Sequence, residues 1–325
     1  MLDTSILPRR AAWGLTLALG LLAATAQADR NDPGSLLIYP EYDSRPGSFT
    51  FLTVTNTHPT ESVRVHFNWV NEETCLKNNA SKTLTPRDTV TFYSSTSNPN
   101  QHRGFCFAYA RSSANGQPID FDYLIGSSIS MIGSTASEYS MNALVFAGQT
   151  GHGNSTEVTP NGDRDLDGVE YSKTPDEIAI PRFFGQTEVQ GMPRADLILI
   201  GLTGTRFETS IDFLIYNDNE EVFSSEYSFD CWDRVPLLDI SGAFRNDFLL
   251  NGTNHDPGEI LGFNLFESGW FIMDGGIATS TTTSIPDPAF LAVMVELGRM
   301  SSADLPFTIG EQENGGLLST SLSGN

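Results

Sequence analysis

The chain has 325 residues and a formal net charge of −22, from 18 lysines and arginines against 40 aspartates and glutamates. This charge argues against nucleic acid as a partner, because it repels phosphate backbones. It favours divalent cations and a well-solvated surface, and the length fits two domains of ordinary size.

The first 28 residues have the pattern of a secretory signal peptide. Arg9 and Arg10 form a basic start, an apolar run covers residues 11–24, and Ala26-Gln27-Ala28 is a small-residue cleavage site. The apolar run is too short for a membrane span. We therefore expect a bacterial protein exported to the periplasm, the cell surface or the medium, with no membrane span.

Alternation of apolar and polar residues dominates the first half and predicts antiparallel strands with one buried face. Turn-forming Pro, Gly, Asn and Ser clusters separate the strands. The predicted strands cover residues 36–39, 49–55, 63–69, 90–93, 105–109, 119–123, 129–132 and 141–146.

The second half repeats this style without a recognisable sequence repeat. One short helix is predicted at residues 241–250. The predicted strands cover residues 197–202, 211–216, 222–229, 237–240, 260–266, 270–273, 290–297 and 307–309.

These elements predict an all-β chain of two tandem antiparallel β-sandwiches, immunoglobulin-like or jelly-roll-like. The first sandwich covers residues 33–148 and the second covers residues 177–313. Between them, residues 149–176 read as an acidic linker, because they contain almost no apolar side chains. Residues 314–325 read as a flexible tail.

Three cysteines are too few for a disulfide scaffold. Cys75 and Cys106 lie in the same half of an exported chain, which predicts a disulfide between them. The alternative is three buried free thiols. Cys231 is in phase with Phe229 and Tyr227, so we expect a buried side chain there.

The sharpest local motif is Asp-Arg-Asp-Leu-Asp-Gly-Val-Glu at residues 163–170. Alternate aspartates before a glycine resemble the start of an EF-hand-like calcium loop, as in thrombospondin type-3 and dockerin repeats. Ca²⁺ takes about six to eight oxygen ligands, and carboxylates at positions one, three and five can converge on one point. The predicted ligands are Asp163, Asp165, Asp167, the Val169 carbonyl and Glu170.

The motif departs from the EF-hand at its twelfth position. Thr174 stands there in place of a bidentate glutamate, a role that Glu170, Asp176 or Glu177 would have to take. The alternative interpretation is a flexible acidic linker without a metal.

Other carboxylates and tryptophans are weaker candidates. Asp120 and Asp122 alternate along a predicted strand, where paired carboxylates are commonly a solvated face. Asp256 and Glu259 lie in a Pro/Gly loop, and Trp232 and Trp270 are candidates for a sugar-stacking platform or for interface positions. The sequence contains neither Gly-x-Ser-x-Gly nor His-Glu-x-x-His, and it has no phosphate-binding glycine loop.

The segment Pro40-Glu41-Tyr42-Asp43 and the turn Asn217-Asp218-Asn219-Glu220-Glu221 resemble uncharacterised secreted bacterial β-sandwich proteins. That resemblance implies the compartment and no activity. The sequence favours a non-enzymatic interaction, adhesion or structural protein, with an envelope or extracellular protein or glycan, or a second copy, as partner. The alternatives are a carbohydrate-binding module and a secreted polysaccharide hydrolase that uses Asp120, Asp122, Asp256 or Glu259.

Overall fold

The computed structural model describes residues 32–98, 102–133, 136–158, 163–188, 194–203, 207–217, 220–252, 267–297, 301–312 and 316–319. The predicted signal peptide and the predicted strand at residues 260–266 lie outside these ranges. In the part of the chain that is described, every helix falls short of the length and apolarity needed to cross a membrane.

The first half is built of strands with one short helix, α1 (Ser94–Ser97). Its strands are β1 (Leu36–Asp43), β2 (Phe49–Asn56), β3 (Val63–Asn71), β4 (Lys77–Leu84), β5 (Thr89–Tyr93), β6 (Arg103–Arg111), β7 (Leu124–Ile132), β8 (Ser137–Asn142) and β9 (Leu144–Phe146).

After β10 (Asp163–Leu166), the second half adds strands and three short helical segments: α2 (Leu237–Ile240), a 3-10 helix (Gly242–Phe244) and α3 (Asn246–Gly252). Its strands are β11 (Glu177–Phe184), β12 (Arg194–Gly201), β13 (Glu208–Asn217), β14 (Val222–Phe229), β15 (Trp232–Pro236), β16 (Ser268–Thr279), β17 (Ser284–Pro286), β18 (Phe290–Leu297), β19 (Ser302–Asp304), β20 (Phe307–Ile309) and β21 (Gly316–Ser319).

The strands form four main sheets. In the first half, outer sheet 1 has the order β5-β2-β7-β8 and inner sheet 1 has the order β4-β3-β6-β1-β9. In the second half, inner sheet 2 has the order β15-β12-β18-β19 and outer sheet 2 has the order β14-β13-β16-β11-β20, with β17 paired to β16. The all-β sandwich class predicted from the sequence is confirmed.

The central strands of both inner sheets are buried on two faces, as β1 illustrates. Leu37 and Tyr39 lie in the core between outer and inner sheet 1, whereas Leu36 and Ile38 lie in a central core that also contains residues of inner sheet 2. Strands β12 and β18 divide their side chains in the same way between the central core and the core of the second sandwich. This double burial explains the uninterrupted apolar runs in these strands, since a strand with one wet face would alternate.

A buried ion cluster also joins the two halves. Arg234 of β15 donates from Nη1 to both carboxylate oxygens of Glu41 in β1 at 2.9 Å, and from Nε to Asp196 of β12 at 2.9 Å. The Tyr139 hydroxyl donates to Glu41 and accepts from Arg234. The side chains of Glu41, Asp196 and Arg234 are at most 6% exposed.

Trp232 lies at the same joint. Of the two roles expected from the sequence, it takes the interface position and not that of an exposed sugar-stacking platform. Its indole N–H donates to the Pro40 carbonyl at 2.7 Å, and the Arg103 guanidinium lies 4.7 Å from the ring centroid. Trp232 is 3% exposed. The tryptophan is therefore an interface anchor between the halves.

The predicted Cys75–Cys106 disulfide is wrong. Cys75 is bonded to Cys231, with Cα atoms 5.9 Å apart, and Cys106 is a buried free thiol. The reason is the strand phase: Cys106 shares a face of β6 with Ala108 and points into the first sandwich core, whereas Cys75 and Cys231 lie in the central core. The disulfide thus covalently links the two halves.

Two predicted strands are also wrong, and seven of the described strands were missed: β4, β10, β11, β15, β17, β19 and β21. Residues 119–123 pair only through isolated bridges and turns, because Asp120 is itself buried and bonded to a neighbouring loop. Residues 237–240 form α2. Strand β4 was missed because its sequence, Lys-Asn-Asn-Ala-Ser-Lys-Thr-Leu, contains only two apolar residues, Ala80 and Leu84, and so shows no alternation. The predicted helix at residues 241–250 corresponds to the 3-10 helix and α3.

The segment between the halves is built into the fold. The Tyr171 side chain is fully buried and its hydroxyl bonds the Thr156 hydroxyl at 3.0 Å. Strand β10 pairs with β21, which lies in the region predicted as a flexible tail, and Leu166 joins the central core.

Alkylation tests the disulfide directly. Unreduced, denatured protein should label at Cys106 alone, and the C75S/C231S double variant should lose about 2–5 kcal/mol of unfolding free energy in urea, since a cross-link restricts the unfolded chain. The C106A variant, which keeps the disulfide, serves as the control. Labelling of Cys75 or Cys231 before reduction would contradict the assignment.

Candidate functional site

The most distinctive polar site is a cavity of about 340 Å³ at the edge of inner sheet 1, which we call the cationic pocket. It is defined by His66, Asn68, Lys77, Tyr109, Arg111 and Arg164. Asn79, Gly116, Gln117, Pro118 and Glu157 complete its walls.

Strand register brings these residues together. His66 of β3 lies between Ser81 of β4 and Tyr109 of β6, and Asn68 lies opposite Asn79. Directly opposed residues of antiparallel strands share a face. This is the face that carries Val70 and Tyr109 into the central core, so the pocket is the polar continuation of that core.

Tyr109 positions two guanidinium groups. Its hydroxyl accepts from Arg111 at 3.0 Å and from Arg164 at 3.3 Å. The Arg164 and Arg111 guanidinium carbons lie 4.5 and 5.3 Å from the ring centroid, within cation–π range. Arg164 reaches this ring because it shares a strand face with Leu166 of the central core.

The pocket is electropositive, as His66 shows. Burial and then the nearby Arg111, Lys77, Arg164 and Arg64 lower the pKa of His66 to about 4, so the imidazole is neutral at neutral pH. The carboxylate of Glu157 lies 3.6 Å from Arg164 and offsets part of the charge. Arg111 forms no ion pair with any described residue.

Two buried donors in the pocket lack a partner within the described ranges. They are Asn68 Nδ2, on a side chain that is 2% exposed, and Arg111 Nε. An unsatisfied buried donor costs about 1–3 kcal/mol. An acceptor that enters the pocket, above all an anionic one, would recover this cost.

The residues predicted as calcium ligands lie in several local settings. Asp163 to Leu166 form strand β10, Asp165 and Glu170 are buried, and Asp167 accepts from the Val169 N–H at 2.8 Å. Gly168 makes the expected bend, with φ of +90°. Among the side chains described, which do not include that of Asp163, those of Asp165, Asp167 and Glu170 do not gather around one point. Calcium binding there stays a prediction.

Asp120 and Asp122 do lie together, in a cleft beside Tyr123 and His152. Asp122 accepts from the Ser35 hydroxyl at 2.7 Å and the Gly148 N–H at 2.8 Å, and Asp120 accepts from the Gly151 N–H at 2.7 Å. Burial raises the pKa of Asp122 above its usual range. These bonds hold the loop at residues 147–154 against the first sandwich.

That loop brings His152 to His58 and Glu61, a trio with metal-ligand chemistry. His152 Nε2 lies 3.1 Å from Glu61, and His58 Nε2 lies 3.7 Å from it. However, His58 Nδ1 accepts the N–H groups of Thr60 and Glu61 at 3.2 and 2.8 Å, which places the ring proton on Nε2. His58 therefore faces Glu61 as a donor and not as a metal ligand.

Three candidates from the sequence remain: Asp256, Glu259 and Trp270. Asp256 and Glu259 lie outside the described residues. Trp270 is 38% exposed on outer sheet 2, but its ring stacks on Tyr216 with centroids 4.3 Å apart. One face of the indole is therefore already covered.

Sequence reasoning missed the cationic pocket. Its residues come from β3, β4, β6 and β10, which no motif connects. The available signal was Arg164, a single cation inside an acidic run, together with His66 and Asn68, two of the polar residues that alternate with apolar ones along β3.

No family model matches the chain, and no curated protein matches it. Among solved structures, the apo form of the Pleurotus ostreatus lectin is one match, with 9% identity over 89% of this chain and 75% of the lectin chain. The TM-score of 0.14 is too low to carry an argument about fold or function.

The pKa of His66 predicts a pH dependence of stability. Because the folded pKa of about 4 lies below the ordinary 6.5, the unfolded chain takes up a proton first as pH falls. The stabilisation is complete above pH 6.5 and is lost between 6.5 and 4, by about 1–2 kcal/mol after allowance for partial exposure.

Urea unfolding near both ends of this pH window tests the prediction. The H66Q variant should lose less stability on acidification than the wild type, and the H102Q variant, changed at an exposed histidine, should follow the wild type. Equal losses of unfolding free energy in H66Q and the wild type would show that His66 does not cause the pH dependence.

Proposed function

We propose that the chain is an exported, non-enzymatic binding protein whose cationic pocket holds an anionic group of an extracellular or envelope partner. The observation that carries this proposal is the pair of unsatisfied donors, Asn68 Nδ2 and Arg111 Nε, beside three cations in one cavity. The signal-like first 28 residues support export to the periplasm or beyond.

Charge distribution limits the kind of anion. With a net charge of −22, the molecule repels polyanions at long range, whereas each cation in the pocket attracts an anion at 4 Å by about 4 kcal/mol at an effective dielectric of 20. A partner with isolated negative groups on an otherwise neutral body avoids the repulsion. This favours a glycan or protein surface over a nucleic acid.

A hydrolase that uses Asp120 and Asp122 has less support. Their carboxylates accept from backbone N–H groups and a hydroxyl that fix the loop at residues 147–154. These bonds use one oxygen of each carboxylate, Asp122 Oδ1 and Asp120 Oδ2. They account for the positions of both carboxylates without a substrate, which favours a structural role for this pair.

Titration calorimetry with acetate, inorganic phosphate, sulfate and D-glucuronate tests the proposed function. We expect heat with at least one of these anions and at least tenfold weaker binding by R111Q, since tenfold corresponds to about 1.4 kcal/mol. The control is R182Q, which changes an exposed arginine of the second sandwich that pairs with Glu296. Absence of binding by all four anions, or unchanged binding by R111Q, would overturn the proposal.

We also propose that the loop at residues 163–170 binds Ca²⁺, supported by its alternate carboxylates and by the bend at Gly168. Chelator-stripped protein should bind Ca²⁺ with a dissociation constant of about 10⁻⁴–10⁻³ M, the range of extracellular modules. D167N should weaken binding, whereas D212N, changed in β13, should not. Titration of the wild type without heat would overturn the proposal that this loop binds Ca²⁺.

A further inference from the structure

We infer that the group held by the cationic pocket is a sugar acid, in which the carboxylate faces the cations and the ring hydroxyls face the amides. This inference rests on the proposed function and names its ligand class. It is carried by the mixture of donors and acceptors in the walls, by the size of the cavity and by the charge of the whole chain.

The walls suit a hydroxylated anion better than a bare one. Asn68 and Asn79 lie opposite each other on β3 and β4, and Gln117 adds a third amide. An amide offers both donors and an acceptor, whereas a fully ionised phosphate or sulfate only accepts. Hydroxyl groups, which donate and accept, use both halves of each amide.

Glu157 supports the same conclusion. Its carboxylate lies on the pocket wall, 3.6 Å from Arg164 and 21% exposed. Beside a doubly charged oxyanion this carboxylate is repulsive, but it accepts readily from a hydroxyl group. A ligand with one negative charge and several hydroxyls satisfies both Arg111 and Glu157.

The volume agrees with a ring and not with an ion alone. At about 340 Å³ the cavity falls within the range of about 300–1,000 Å³ that is typical of small-molecule sites. A hexuronate, with roughly a dozen non-hydrogen atoms, is a ligand of that class. A lone oxyanion would leave most of the volume to solvent.

Recognition in this pocket is polar and not based on stacking. The Tyr109 ring is engaged by the guanidinium groups of Arg111 and Arg164 and is 2% exposed. Specificity therefore depends on the carboxylate and the hydroxyl groups. A neutral sugar of the same shape should lose the contact with Arg111 and bind much more weakly.

The experiment compares D-glucuronate with acetate, D-glucose, the methyl ester of glucuronate and inorganic phosphate, by calorimetric titration of the full mature chain. We expect glucuronate to bind at least tenfold more tightly than acetate or phosphate, and the two neutral sugars to give no heat. R111Q should weaken both glucuronate and acetate. N79A, changed at an exposed wall residue, should weaken glucuronate several-fold and leave acetate unchanged.

The matched control is N142A, an exposed asparagine of β8, which should bind all probes as the wild type does; circular dichroism verifies that each variant is folded. Equal affinity for glucuronate and acetate, or tighter binding of phosphate, overturns the sugar-acid inference and leaves the anion pocket standing. Binding of D-glucose as tight as that of glucuronate also overturns it. Absence of binding by every anion overturns the proposed function as well.

Discussion

A single buried guanidinium, that of Arg234, holds the two halves of this molecule in one arrangement. It bonds Glu41 from the first half and Asp196 from the second, and all three side chains are almost fully excluded from solvent. Loss of the guanidinium would leave two buried carboxylates without their shared cation, and removing one partner of a buried ion pair typically costs about 3–5 kcal/mol. Sliding the halves past each other would break the same hydrogen bonds, so the cluster fixes the position of one half relative to the other. The Cys75–Cys231 bond adds a covalent link at this joint.

The joint also determines where a binding site can form. Inner sheet 1 is apolar on its central face at β1, where inner sheet 2 covers it, and polar toward β4, where His66, Asn68 and Asn79 occupy the same face. Arg164 extends from β10 over Tyr109 and forms one wall of the cavity. The cationic pocket thus lies where the covering sheet ends and the segment between the halves crosses. A change in how the halves meet would change the pocket.

The sequence predicted the all-β class and most strands, because alternation and apolar runs report burial at each position. It did not predict that the sandwiches share a third, central core. An uninterrupted run such as the start of β1 indicates burial on two faces, but it does not say which sheet covers the second face. The Cys75–Cys231 pair depends on that contact, so proximity in sequence pointed to Cys106 instead. The pocket was not predicted because its three cations are distant from one another in sequence, and one of them lies inside an acidic run.

The placement of positive charge gives the proposal its physical basis. The chain has 18 lysines and arginines against 40 carboxylates, and most of the cations in its described ranges have an acidic partner within reach, as Arg45 has Asp43 and Arg234 has Glu41. Arg111 bonds a tyrosine hydroxyl instead, and its Nε lacks a partner among the described residues. A guanidinium held partly buried without a carboxylate carries a desolvation cost that the fold alone does not offset. An anion brought in from outside offsets it, and the neutral His66 beside it adds no further positive charge to the pocket. The unpaired guanidinium is therefore better explained by a ligand than by the stability of the fold.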